Sequence, residues 1–226
     1  MLSPEETHHL HKVLRLGVGA QVEVYDGQGR NFAAVVQEVD AGGALLQVLG
    51  ELAPRGESPL DLTLGVGLAK GEALDWVVRQ ATEMGVKLIL PFTSERSEQV
   101  TPERAARRQQ RWQRLAQESL KSCRRSSLPR IEKPVDFAAA LSGPEEKKLL
   151  FWEEELGGGL KACLRQPRPQ SVRLLIGPEG GFSPKEAAQA RDAEFAVVSL
   201  GPRLLKVPTA ALAALTLIQY AWGDLA

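Results

Sequence analysis

Cysteine is nearly absent: only Cys123 and Cys163 occur in 226 residues, without CxxC spacing. That excludes a disulfide-built secreted scaffold and suits a reducing cytoplasm. No stretch reaches about 18 uninterrupted apolar residues, so no membrane span is expected. The opening MLSPEETHHLHKVLRL lacks the apolar run and small-residue cleavage site of an export signal. Net charge is missing too, since 28 Lys+Arg stand against 28 Asp+Glu. Nucleic acid held by bulk charge is thereby excluded, and any such site must be a local patch balanced by acid elsewhere. What is present is apolar material, 43% against 25% charged residues, enough for a large core in one large domain or in a small one joined to a mid-sized one.

Ser3-Pro4-Glu5-Glu6 reads as a helix start, with Ser as N-cap, Pro in the first turn and Glu6 closing a capping box; the helix should run to about Leu14. Gln21–Tyr25 alternates, Asp26–Gly29 turns, and Phe32–Val39 and Ala44–Leu49 read as further strands. Strands this close leave no room for crossover helices, so residues 1–52 should form a small antiparallel barrel or sandwich. Residues 53–59, with two prolines, a glycine and mixed charge, read as a linker. From 60 to 226 strands and helices alternate, which predicts a mostly parallel sheet covered on both faces.

Val172–Ile176 is a buried strand that runs into Gly177-Pro178-Glu179-Gly180-Gly181 and then into a second Ser-Pro-x-Glu cap, Ser183–Glu186. Three glycines let backbone groups approach a ligand, and strand C-terminal ends are where open α/β sheets bind one; a plain tight connection is the other reading. The turn is neither a P-loop nor GxGxxG. Val198-Ser199-Leu200-Gly201-Pro202 repeats the pattern, leading to a helix that Thr209 or its neighbours would cap. Two such loops at neighbouring strand ends would form one pocket. The last helix is apolar nearly all round, as a core or subunit-interface helix would be. His8, His9 and His11 have no Cys or paired carboxylate to complete a metal site, so no metal is expected.

Further motifs are His9-Leu10 with Val13-Leu14-Arg15, Lys70-Gly71, Glu83-Met84-Gly85-Val86, Ser94-Glu95-Arg96-Ser97, Arg111-Trp112, Arg125 with Pro129, and Leu200–Leu205 with Thr209-Ala210. With the glycine turn, they resemble the RsmE family of 16S rRNA uridine-N3 methyltransferases, in the SPOUT class. The resemblance implies a PUA-like β-barrel for RNA, an α/β methyltransferase domain with a trefoil knot and mostly parallel sheet, and a homodimer acting on the small ribosomal subunit. It also implies S-adenosyl-L-methionine as cofactor, with Leu175, Gly177, Gly180, Leu200, Gly201, Leu205 and Thr209 around it. Relatives carry Arg-x-Glu-Thr-Ala where this chain has Lys206 and Pro208, and Glu-Gln where it has Lys121-Ser122. Those departures leave open a non-catalytic or retargeted RNA-binding paralogue on the same scaffold. A nucleotide-binding enzyme that holds phosphate on the glycine turn is a further rival, weakened by the missing Walker lysine.

Methylating N3 needs its proton removed, and a cation beside the uridine oxygens eases that; Arg125 and Lys206 are the catalytic candidates. Between Glu103 and Arg125 basic residues recur at three- or four-residue steps opposite Trp112, Leu115, Ala116 and Leu120. The stripe is either a solvated face or an RNA-binding one, and Arg107, Arg111 and Arg114 are the RNA candidates, with Arg15 and Arg96 from the motifs. Glu83 is structural or functional, and Glu179 shapes its turn or touches a ligand.

Overall fold

The computed structural model describes residues 1–40, 42–53, 56–155, 157 and 159–225. Pro54 and Arg55 of the expected linker lie outside the described residues. The chain forms two compact units, Met1–Glu57 with Arg124–Ser127, and Ser58–Cys123 with Leu128–Ala226.

In the first unit, Ser3 caps α1 (Pro4–His8) by accepting a hydrogen bond from Glu6 N at 3.2 Å. The expected helix to Leu14 does not stay α-helical: His9–Val13 winds as one π-helical turn and ends before Arg15, which takes a left-handed φ of 57°. β1 (Gln21–Tyr25), β2 (Asn31–Asp40) and β3 (Gly43–Leu52) form an antiparallel sheet in that order. Register shifts at Ala33/Ala34 and Val36/Glu38 bend the long strands. The core is small, with Leu10, Val36 and Ala44 buried together. It is fastened by Thr7, whose hydroxyl accepts from Ala44 N at 2.9 Å.

The segment Arg124–Ser127 returns to this unit from far along the chain. One carboxylate anchors it: Glu57 Oε1 accepts from Ser126 N and Ser127 N, each at 2.8 Å, and Oε2 accepts from Arg125 Nη2 at 2.9 Å.

The second unit holds β4 (Asp61–Gly67), α2 (Ala73–Glu83), β5 (Leu88–Thr93), α3 (Pro102–Cys123), β6 (Arg130–Ile131), β7 (Val135–Asp136), α4 (Phe137–Leu141), β8 (Lys147–Phe151), α5 (Leu160–Leu164), β9 (Ser171–Ile176), α6 (Pro184–Asp192), β10 (Ala196–Val198) and α7 (Val207–Trp222). All its paired strands are parallel, in the order β10-β8-β9-β4-β5-β6, with β7 beside the end of β5. Alternate side chains along a strand point to opposite faces. Hence Leu149 and Leu174 join α2, α3 and α7 in one apolar cluster, while Leu150 and Leu175 join Phe92, Phe137 and Phe182 in the other. Each fully buried Leu or Phe contributes about 1.5–3 kcal/mol, so two faces of such residues hold the strand ends rigidly in place.

Candidate cofactor cleft

At the C-terminal ends of β8, β9 and β10 the chain leaves the sheet in three connections that converge. β9 passes into the glycine turn, closed by Gly181 N donating to Pro178 O at 2.9 Å, and then into the Ser183 cap of α6. Both halves of that capping box are made: Ser183 Oγ accepts from Glu186 N, and Glu186 Oε2 accepts from Ser183 N at 2.9 Å. β10 passes into residues 199–206, where Ser199 Oγ accepts from Gly201 N at 3.1 Å. Trp152, just past β8, binds both neighbours, its backbone N–H donating to Val198 O at 2.9 Å and its indole to Phe182 O at 3.1 Å.

The loop after β5 is stitched to the same place. Glu186, 5% exposed, accepts from Glu95 N at 2.8 Å through its second oxygen. Arg96 Nη1 donates to Gly180 O at 3.1 Å. A side chain at Gly180 would press to 2.9 Å from Arg96 Cβ, so only glycine lets the two segments lie this close. Glu179 accepts from Lys70 N at 3.2 Å, tying the turn to the end of β4.

Between the β9 and β10 connections lies a cleft of about 570 Å³. Its walls are mostly apolar, from Phe151, Trp152, Ile176, Leu200, Leu205 and Val207, with charges from Glu153, Glu179, Arg203 and Lys206. Such a volume and lining suit one small organic ligand of about 300–1,000 Å³ site size, with few polar contacts to orient it. Of the residues expected here, Gly177, Leu200, Gly201, Leu205 and Lys206 line the cleft.

Three others are placed differently. Leu175 is fully buried in the Phe92 cluster, because the alternation along β9 turns it away. Gly180 faces Arg96. Thr209 is exposed and does not cap: α7 begins two residues earlier, with Lys206 as N-cap and Pro208 in the first turn, where a missing N–H costs nothing. Phe151, Trp152 and Glu153 were missed, although they too follow a parallel strand and the strand-end rule applies to them equally.

The profile of an RNA methyltransferase domain matches residues 56–219, and that of an RNA methyltransferase PUA domain matches residues 2–49. A ribosomal RNA small subunit methyltransferase E from Synechocystis is 33% identical, over 96% of this chain and 72% of its own. The chain belongs to the ribosomal RNA small subunit methyltransferase E family. The Bacillus subtilis member is 27% identical over 97% of this chain and 89% of its own. Among solved structures, the Legionella pneumophila protein Lpg2936 in complex with S-adenosylmethionine superimposes with a TM-score of 0.89 at 32% identity, covering 99% of this chain and 92% of that one. The Neisseria gonorrhoeae member of the family, bound to S-adenosyl methionine, gives a TM-score of 0.87 at 29% identity, covering 100% and 92%.

None of the remaining candidates in this family member is among the cleft-lining residues. Arg125 is 2% exposed and ion-paired to Glu57 in the first unit, where Arg15 is exposed. On α3, Arg111 is paired to Asp75 and Glu72, and Arg104 and Arg108 to Glu98. Arg107 and Arg114 are exposed and carry no ion pair among the described residues. Trp112, Ala116 and Leu120 are buried on the opposite side, as the stripe requires, with Leu115 half-buried. No group of three His, Cys, Asp or Glu converges among the described residues.

Proposed function

We propose that this chain transfers the methyl group of S-adenosyl-L-methionine to N3 of a uridine in the 16S rRNA of the small ribosomal subunit, as a cytoplasmic homodimer with a trefoil-knotted C-terminal unit and a PUA-like barrel contacting RNA. The observation that carries the reading is the cleft between the Gly177–Gly181 turn and residues 199–206, in a chain two of whose relatives of known structure hold that cofactor.

The residues fit the group. The apolar walls of Ile176, Leu200 and Leu205 take a flat purine, and the bare backbone at Gly177 and Gly201 leaves amides and carbonyls for its edge. Bound there, S-adenosylmethionine supplies an electrophilic methyl carbon on a sulfonium. The chain's own share is alignment and charge. Rigid strand ends that hold two reactants in attack geometry supply about 7–11 kcal/mol of a barrier. Lys206, exposed at the cleft wall, stabilises the negative charge that spreads onto the uridine oxygens as N3 gives its proton to solvent water; N3 then takes the methyl group, releasing S-adenosylhomocysteine. Arg125, buried against Glu57, acts by holding the Arg124–Ser127 segment. Arg107 and Arg114 draw RNA phosphate, with Arg15 and Arg96 as further contacts.

Exposed apolar side chains on the second unit, Trp76 at 59% and Tyr220 at 70%, support the dimer. The deciding experiment incubates the protein with small subunits and tritiated cofactor, then maps the label by nuclease digestion and mass spectrometry. A single 3-methyluridine in 16S rRNA is expected; no transfer, or label on another base or atom, would refute the reading.

A further inference from the structure

Glu153 is a cleft charge that the methyl-transfer reading above leaves unused. It lies two residues past the end of β8, beside the apolar wall of Phe151 and Trp152, and it lines the cleft. Its carboxylate lies over Gly181, in the space a Cβ there would take. Among the described residues it has neither a hydrogen bond nor an ion pair. Two other carboxylates near it, Glu155 and Glu179, are occupied. Glu155 accepts from Gly157 N at 2.8 Å and pairs with Arg191, and those bonds hold its carboxyl below the ordinary value; Glu179 accepts from Lys70 N.

An ionised carboxylate only accepts hydrogen bonds. Placed next to a wall that takes a purine, its two oxygens match the two vicinal hydroxyls of the attached ribose. It also repels phosphate, which counts against the nucleotide-phosphate alternative for the glycine turn. Resting on the cofactor reading above, we propose that Glu153 binds the ribose diol of the cofactor and makes the cleft selective for a nucleoside with free 2′- and 3′-hydroxyls. Binding and discrimination then come from the same group.

The test is titration calorimetry on the full chain with S-adenosylhomocysteine, 5′-methylthioadenosine and the 2′,3′-dideoxy form of the latter. Removing the diol from the ligand should weaken binding to the wild type about 10- to 100-fold, the range for hydrogen bonds to a charged group. Glu153→Gln should weaken 5′-methylthioadenosine to a similar degree and leave the dideoxy ligand within about threefold of wild type. A wild type that binds both 5′-methylthioadenosine ligands equally would overturn the proposal without any variant, as would a Glu153→Gln protein that loses both equally. Failure of the wild type to take up S-adenosylhomocysteine would instead remove the cofactor reading, and this inference with it.

Discussion

Replacing Glu186 by Gln tests whether the loops around the cleft are held by one buried carboxylate. Oε1 accepts from Glu95 N at 2.8 Å and Oε2 from Ser183 N at 2.9 Å, with the side chain buried at the first turn of α6. A glutamine of the same shape keeps one acceptor and turns an NH2 toward the other N–H, donor against donor. One charge-assisted hydrogen bond is worth about 1.5–3 kcal/mol, and the lost negative charge at a helix N-terminus about 0.3–1 kcal/mol more. The expected destabilisation is about 2–4 kcal/mol out of a typical total of about 5–15. Because the loosened segment carries Arg96, which anchors Gly180 O, affinity for S-adenosylhomocysteine should fall as well. Urea denaturation followed by tryptophan fluorescence, together with calorimetry, reads both effects. A loss below about 0.5 kcal/mol, the scatter of an ordinary surface substitution, would refute the reasoning.

Glu145 gives a pH signature. Burial pushes its carboxyl up, but bonds from Arg173, Thr63 and its own backbone outweigh that and leave it below the ordinary 4.5. A depressed carboxylate stabilises the fold above its unfolded value and stops doing so as pH falls through the folded one. Wild type should therefore melt above Glu145→Gln at neutral pH, with the gap closing on acidification below about 4.5; a constant gap would refute it. Arg125→Ala should cost about 3–5 kcal/mol, since it takes the ion-pair partner from Glu57 and opens a buried site, measurable by chemical denaturation. Arg107→Ala and Arg114→Ala should each flatten the salt dependence of RNA binding by up to about one unit of slope, while Arg111→Ala, already neutralised by Asp75, should change it less. Gly67→Ala should destabilise by about 1–3 kcal/mol and weaken cofactor binding, because its methyl would sit 2.5 Å from Pro178 N under the glycine turn; unchanged melting would count against that packing.

Long periodic elements were legible from residues alone. Strand β9, helix α3 and the Ser183 cap lie where the apolar run, the three-to-four-residue stripe and the Ser-Pro-x-Glu signature put them, because each depends on local chemistry. The two-residue strands β6 and β7 and the five-residue helices α4 and α5 left no such trace, being too short to repeat their own period even twice. The same distinction governs the cleft. Gly177 and Gly201 advertise themselves as glycines at strand ends, whereas Glu153 is one of three consecutive glutamates whose only distinction is what it faces.

From sequence alone, this protein had an α/β unit after a small β unit, two glycine-bearing strand ends, and a family likeness. The tertiary structure alone decided that Leu175 belongs to the core, that Arg125 is spent on Glu57, and that Arg124–Ser127 packs with the first unit. The reason is range: caps, periods and turns are set by neighbours within a few residues. The Glu57–Arg125 pair, by contrast, spans 68 positions and the Arg96–Gly180 bond 84, distances over which only the folded sheet brings residues together.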